Sequence, residues 1–142
     1  MSAYIEAAAI ETLRKYKTAD PFEILDLIKA DVHFANMGTL RGLYHYVRRN
    51  VYVYIDCRLD HYNKRAVAAH ELAHYVLHRT ENRLFLNSSL YSTSRFEREA
   101  NEFAAYLMWY GGEWQIEEFS GSSIREISCY TKIPVHYLEL IL

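Results

Sequence analysis

The segment His70-Glu71-Leu72-Ala73-His74 constrains this chain more than any other, because it reads H-E-x-x-H. On an α-helix, side chains four positions apart lie on the same face, so His70 and His74 can reach a single metal ion. Glu71 lies about 100° around the helix axis, where it can accept a proton from the attacking water instead of binding the ion. The motif therefore predicts a helix that carries two zinc ligands and one general base.

A catalytic zinc site usually has three protein ligands, so two histidines require a third donor. Glu97 and Asn101 share one face of the next predicted helix at i,i+4 spacing, and Ala104 and Ala105 extend that face. Because this face is small and apolar, we expect it to pack closely on the H-E-x-x-H helix with Glu97 directed at the metal. Asn101, one turn further, would then hold the free ring nitrogen of a ligand histidine, as metal-bound histidines generally require.

Two other side chains near these motifs are alternative metal ligands. Glu99 is the rival third ligand, although it shares its helix face with Phe103 and Tyr106. His78 extends the histidine stripe, but eight residues of helix rise about 12 Å, so His70 and His78 cannot both bind one ion. We therefore interpret His78 as a polar end of the helix.

Hydrophobic periodicity along the rest of the chain predicts the α+β class. Asp20 and Ser94 are expected helix caps, and Arg49 with Asn50 should turn a hairpin in a small antiparallel sheet. Residues 84–91 fit either a short strand or an extended loop. The predicted helices cover residues 4–17, 21–30, 62 or 63 to 78, 94–110, 113–119, 123–130 and 134–142, and the predicted strands cover residues 32–34, 40–47 and 51–55.

Length and composition limit the classes of protein that remain. The 142 residues fit a single domain, residues 1–142, with one core. A net charge of -2 gives no support to direct nucleic-acid binding. An apolar run long enough to span a membrane is absent, and the first eleven residues do not resemble a secretory signal. Together with two lone cysteines, Cys57 and Cys129, which we expect to be reduced thiols, this predicts a cytoplasmic protein.

The chain resembles the ImmA/IrrE family of metallopeptidase-like domains. Residues 69–78 look like the active-site helix of that family, and residues 97–108 look like its second, more specific motif. Residues 38–44 and 53–56 look like its sheet. The chain departs from the family at Ala73, where glycine is common, and at Trp109, where proline is frequent.

The resemblance implies a zincin-like fold of the minimal gluzincin type. It also implies that His70, His74 and Glu97 bind Zn²⁺ and that Glu71 is the catalytic base. The implied activity is site-specific cleavage of a helix-turn-helix repressor of a phage or mobile element, with the DNA-binding partner on a separate chain. Such a mechanism needs a further donor to the oxyanion, for which Tyr91, Tyr106, His61 and Arg65 are equal candidates.

Three functional interpretations therefore compete. The first is a zinc endopeptidase with a narrow protein substrate. The second is a zinc-containing regulatory module that binds a repressor or another partner without hydrolysing it. The third is a metal-free domain in which the motif is only a packed helix.

Overall fold

The computed structural model describes residues 3–79, 85–88 and 94–142. These residues form six α-helices, four β-strands and a short 3₁₀ helix over Ile116–Phe119. The helices are α1 (Ala3–Tyr16), α2 (Pro21–Leu27), α3 (His61–His78), α4 (Arg95–Tyr110), α5 (Ile124–Thr131) and α6 (Val135–Ile141). The strands are β1 (Asp31–Ala35), β2 (Leu40–Val47), β3 (Asn50–Asp56) and β4 (Phe85–Ser88). The α+β class is thus confirmed.

Most predicted elements are present, with differences at their ends. Asp20 caps α2 as predicted, since its Oδ1 accepts a hydrogen bond from the Phe22 amide at 3.0 Å. The helix ends at Leu27 and not at residue 30, because Lys29 adopts a left-handed conformation with φ of 63°. The ambiguous segment 84–91 forms β4 over Phe85–Ser88, and its remaining residues lie outside the described part of the chain.

The four strands form one sheet in the order β1-β3-β2-β4. β2 and β3 form the predicted antiparallel hairpin, with Val47 paired to Asn50. The turn is Arg48–Arg49 and not Arg49–Asn50, and both turn residues have positive φ. This conformation is typical of a two-residue hairpin, because its twist matches that of the strands.

The sheet is mixed and not purely antiparallel as predicted, because β1 runs parallel to β3. The connection from β1 to β2 crosses the end of β3, where Asp56 holds it. Oδ1 of Asp56 accepts a hydrogen bond from the Met37 amide at 3.4 Å. Arg58 pairs with the same carboxylate at 3.0 Å and also donates to the carbonyl of Gly38. This tethered crossing places β1 beside β3.

Helix α3 lies at the centre of the molecule, in contact with β2 and β3 as well as with α4. Four of its ten buried residues are alanines, namely Ala66, Ala68, Ala69 and Ala73. On α4 the facing residues Ala100 and Ala104 are also fully buried. Since small side chains let helix backbones approach closely, this packing brings the polar side chains of α3 and α4 within contact distance.

Two surface properties bear on the sequence predictions. Cys57 and Cys129 are both exposed free thiols. None of the helices that the structure describes is both long enough and apolar enough to cross a membrane.

Candidate metal centre

The side chains of His70, His74 and Glu97 meet between α3 and α4, and all three are buried. The Nε2 atom of His70 lies 2.8 Å from Oε1 of Glu97. The Nε2 atom of His74 lies 3.1 Å from Oε2 of the same carboxylate. One ligand atom from each residue lies within 4.8 Å of the others. The structure therefore brings together the three residues that the sequence predicted as metal ligands.

Local structure on α3 and α4 orients the three donor residues. His70 and His74 are one turn apart on α3, and their ring centroids lie 5.0 Å apart with the rings nearly perpendicular, at 83°. Glu97 lies in the first turn of α4, where the Ser94 hydroxyl accepts a hydrogen bond from the Glu97 amide at 3.2 Å. The helix cap thus fixes the backbone from which the Glu97 side chain projects.

The donor set suits a zinc ion. Two imidazole nitrogens and one carboxylate oxygen form one of the ligand sets of catalytic zinc sites. Around a tetrahedral ion with ligands at about 2.0–2.1 Å, neighbouring ligand atoms lie about 3.3–3.4 Å apart. The nitrogen–oxygen distances of 2.8 and 3.1 Å are only slightly shorter, so small side-chain shifts would make room for the ion.

The protonation states also favour metal binding. Burial lowers the pKa of the His74 imidazole to about 4, so this ring is neutral near pH 7. Burial acts to raise the pKa of the Glu97 carboxyl, but interactions with the neighbouring His70 and His74 side chains outweigh it and bring that pKa down to about 2. Neutral imidazole and ionised carboxylate are the forms that bind a metal ion.

Asn101 occupies the place that the sequence predicted for it. Its Oδ1 lies 2.6 Å from Nδ1 of His70. An amide oxygen can only accept, so Nδ1 of His70 donates the hydrogen. The other ring nitrogen, Nε2, then faces Glu97. Asn101 therefore holds His70 with Nε2 towards the donor cluster.

Glu71 is fully buried on α3 and its carboxylate lies against β2. A Cβ atom added to Gly42 would lie 2.7 Å from Oε2 of Glu71, so the strand can pass this close only because residue 42 lacks a side chain. The three-residue donor cluster found among the described residues does not include Glu71. This position agrees with a base beside the metal and not bound to it.

Tyr44 is a buried residue of this region that is not among the site residues predicted from the sequence. Its ring centroid lies 5.7 Å from that of His74. Burial raises the pKa of its hydroxyl above the ordinary value, so the group stays protonated and can donate. The sequence could have indicated this position, because Gly42 and Tyr44 are two residues apart on one predicted strand and therefore share a face.

The remaining candidates lie elsewhere. Glu99, the rival ligand, is outside the donor cluster, and its Oε1 accepts a hydrogen bond from Nε2 of His78 at 2.8 Å. His78 is only 3% exposed, which differs from the polar helix end that we expected. Of the candidate oxyanion donors, Tyr106 stacks on Tyr110, and His61 and Arg65 together line a cavity of about 460 Å³ with Trp114 and Lys132. Tyr91 lies outside the described residues.

Comparisons with known proteins find one matching family model and a relative from a phage. Residues 27–110 match the family model Peptidase_M78, described as the IrrE N-terminal-like domain. A protein of Bacillus phage phi105 named "Uncharacterized immunity region protein 2" is 31% identical over 141 residues, which cover 96% of this chain and 87% of that protein. No solved structure matches this chain significantly. The segment that matches the family runs from the end of α2 to the end of α4, so it contains all three donor residues.

Proposed function

Because the chain belongs to the Peptidase_M78 family of IrrE N-terminal-like domains, we propose that it is a zinc-dependent endopeptidase and that residues 1–142 form one metallopeptidase-like domain. In this proposal His70, His74 and Glu97 hold the zinc ion. The observation that carries it is the buried convergence of two imidazoles and one carboxylate from two separate helices. Asn101 supports it further, since metal-bound histidines need a partner on the second ring nitrogen.

The side chains around the cluster have different roles in the proposed peptide hydrolysis. A zinc ion held there would supply Lewis acidity, which lowers the pKa of a coordinated water and polarises a carbonyl oxygen. Glu71 accepts the proton of the attacking water and delivers it to the amine nitrogen as the C–N bond breaks. We assign the role of oxyanion donor to Tyr44, because its ring centroid lies 5.7 Å from that of His74 and its buried hydroxyl stays protonated.

We further propose that the substrate is a specific protein, namely a helix-turn-helix transcriptional repressor of a phage or mobile element. The family resemblance supports this class of substrate. The relative from Bacillus phage phi105 is named an immunity region protein, which supports a regulatory role.

The test is to incubate the purified zinc-loaded protein with helix-turn-helix repressors of the phage or mobile element that encodes it. We expect two repressor fragments on a gel, with one cleavage site identified by mass spectrometry of the new termini. A chelator should abolish the fragments, and added zinc should restore them. If the protein binds zinc and the repressor but the repressor stays intact, it is instead the zinc-containing regulatory module.

A further inference from the structure

A buried series of hydrogen bonds leads from the donor cluster to the surface through His78. Nδ1 of His74 lies 3.0 Å from Nδ1 of His78, and Nε2 of His78 lies 2.8 Å from Oε1 of Glu99. The other carboxylate oxygen of Glu99 accepts hydrogen bonds from the Tyr4 hydroxyl at 2.8 Å and from Nε of Arg95 at 3.2 Å. His78 thus connects the donor cluster to α4 and α1.

The Glu99 carboxylate at the end of this series determines which nitrogen of each histidine donates a hydrogen bond. A carboxylate only accepts, so Nε2 of His78 carries the hydrogen that is shared with Glu99. In a neutral His78 the other nitrogen, Nδ1, is then an acceptor. The facing Nδ1 of His74 must therefore donate. That assignment leaves Nε2 of His74, the nitrogen that faces Glu97, without a hydrogen and able to bind a metal ion.

We propose that His78 and Glu99 are positioning residues, which hold His74 in the tautomer and ring orientation that bind zinc through Nε2. This inference rests on the proposed metal site. It gives both ligand histidines a partner from α4, since Asn101 holds His70 directly and Glu99 holds His74 through His78. Glu99, the rival ligand in the sequence prediction, thus orients a ligand histidine instead of binding the metal.

The surroundings of His78 keep its ring in place. The Phe96 ring meets it edge-on, with centroids 4.7 Å apart and an angle of 74° between the planes. His78 is 3% exposed, so water does not compete strongly for its nitrogens. Because an unsatisfied buried donor is costly, loss of the acceptor at His78 should reorient the His74 ring.

The first test is the zinc affinity of His78 variants, measured by competition with a chromophoric chelator. We expect His78→Phe to weaken zinc binding by about 10–100-fold, the range found when partners of metal ligands are removed. His78→Asn should keep most of the affinity, because an asparagine Oδ1 can occupy the place of the imidazole Nδ1 and accept from His74. A folded His78→Phe protein with the wild-type affinity would overturn the proposal.

Glu99 offers a second test with a matched control. Glu99 and Glu6 each accept a hydrogen bond from a tyrosine across the contact between α1 and α4, from Tyr4 and Tyr110 respectively. Only Glu99 also binds His78. We expect Glu99→Ala to weaken zinc binding about tenfold, and Glu6→Ala to leave it unchanged. Equal zinc affinities in the two variants would contradict the role of Glu99.

A third test reads the tautomer directly by long-range ¹H–¹⁵N NMR of the zinc-loaded protein. We expect His74 to carry its hydrogen on Nδ1 and His78 to carry its hydrogen on Nε2. Zinc bound through Nδ1 of His74 would overturn the inference.

These readouts separate the two proposals. If zinc affinity depends on His78 but no repressor is cleaved, the peptidase proposal fails and the positioning role stands. If zinc binds and the repressor is cleaved, but the His78 variants have the wild-type zinc affinity, the positioning role fails and the peptidase proposal stands. A wild-type protein that binds no zinc overturns both.

Discussion

The carboxylate of Glu71 lies directly against the backbone of Gly42, where a Cβ atom on the strand residue would be 2.7 Å from Oε2 of the glutamate. The same Cβ would lie 2.7 Å from Cγ1 of Val67 on α3. Contacts this short cannot persist, so a side chain at position 42 must displace its neighbours. The position of the proposed base therefore depends on the absence of a side chain on the facing strand.

Gly42→Ala should consequently impair catalysis more than metal binding. The added methyl group displaces Glu71 and overpacks Val67, which should lower the free energy of unfolding by about 1–3 kcal/mol. We expect repressor cleavage to slow by at least about tenfold while bound zinc is retained, because a displaced base loses its geometry. Chemical denaturation, zinc content and a cleavage time course measure the three quantities.

A second glycine provides the control for this loss of stability. Gly121 has a left-handed φ of 82° and no atom within 4 Å of its would-be Cβ. Gly121→Ala should cost about 1 kcal/mol through backbone strain alone, and it should leave the cleavage rate unchanged. Equal losses of cleavage in both variants would show that the Gly42 effect is only general destabilisation.

Glu71→Gln should separate catalysis from metal binding. The amide has almost the same size as the carboxylate but cannot take up a proton, so we expect the cleavage rate to fall by at least about 10²-fold. Zinc content should stay at the wild-type level, because Glu71 is outside the donor cluster. Glu117→Gln, at an exposed residue of the 3₁₀ helix, is the control and should cleave normally. Full activity in Glu71→Gln would exclude the proposed base.

Ser94→Ala should weaken both the fold and the metal site. The Ser94 hydroxyl accepts from the Glu97 amide at 3.2 Å, and the Ser123 hydroxyl accepts from the Glu126 amide at the same distance. Removal of either cap should cost about 1 kcal/mol of stability, measured by chemical denaturation. Only Ser94→Ala should also weaken zinc binding, because only that cap precedes a proposed ligand. If Ser123→Ala weakened zinc binding equally, the cap of α4 would have no specific role.

Asp56→Asn should change the pH dependence of stability. Hydrogen bonds, chiefly from the Arg58 side chain, hold the pKa of Asp56 below its ordinary value in the folded protein. The folded state therefore binds fewer protons than the unfolded state, and the carboxylate stabilises the fold above about pH 4 but loses that effect as the pH falls through the folded pKa. The difference in unfolding free energy between wild type and Asp56→Asn should be largest near pH 6 and should shrink towards about pH 3. A pH-independent difference would contradict this ion pair.

The helical part of the site could be predicted because its signals are local. His70 and His74 are one turn apart, and Ser94 lies three residues before Glu97 as a cap requires. The choice of Glu97 over Glu99 depended on Ala104, which shares the Glu97 face and can pack against α3. Spacing within a single helix was enough for these conclusions.

Other features depend on contacts between distant segments. The parallel direction of β1 results from a connection that crosses β3 and is held by Asp56, and the strand pattern alone does not contain it. The burial of His78 results from Phe96 and Glu99 on α4. A lone histidine at a helix end gives no sign of such partners, so its link to His74 was missed.

The zinc content of purified protein tests the central claim most directly. After growth with ample zinc, elemental analysis should find about one zinc ion per chain in the wild type and in Glu71→Gln. His70→Ala and Glu97→Ala should each lose most of that zinc, because each removes one of three ligands. Wild-type protein that is folded but contains almost no zinc, or a Glu97→Ala protein with full zinc, would contradict the account.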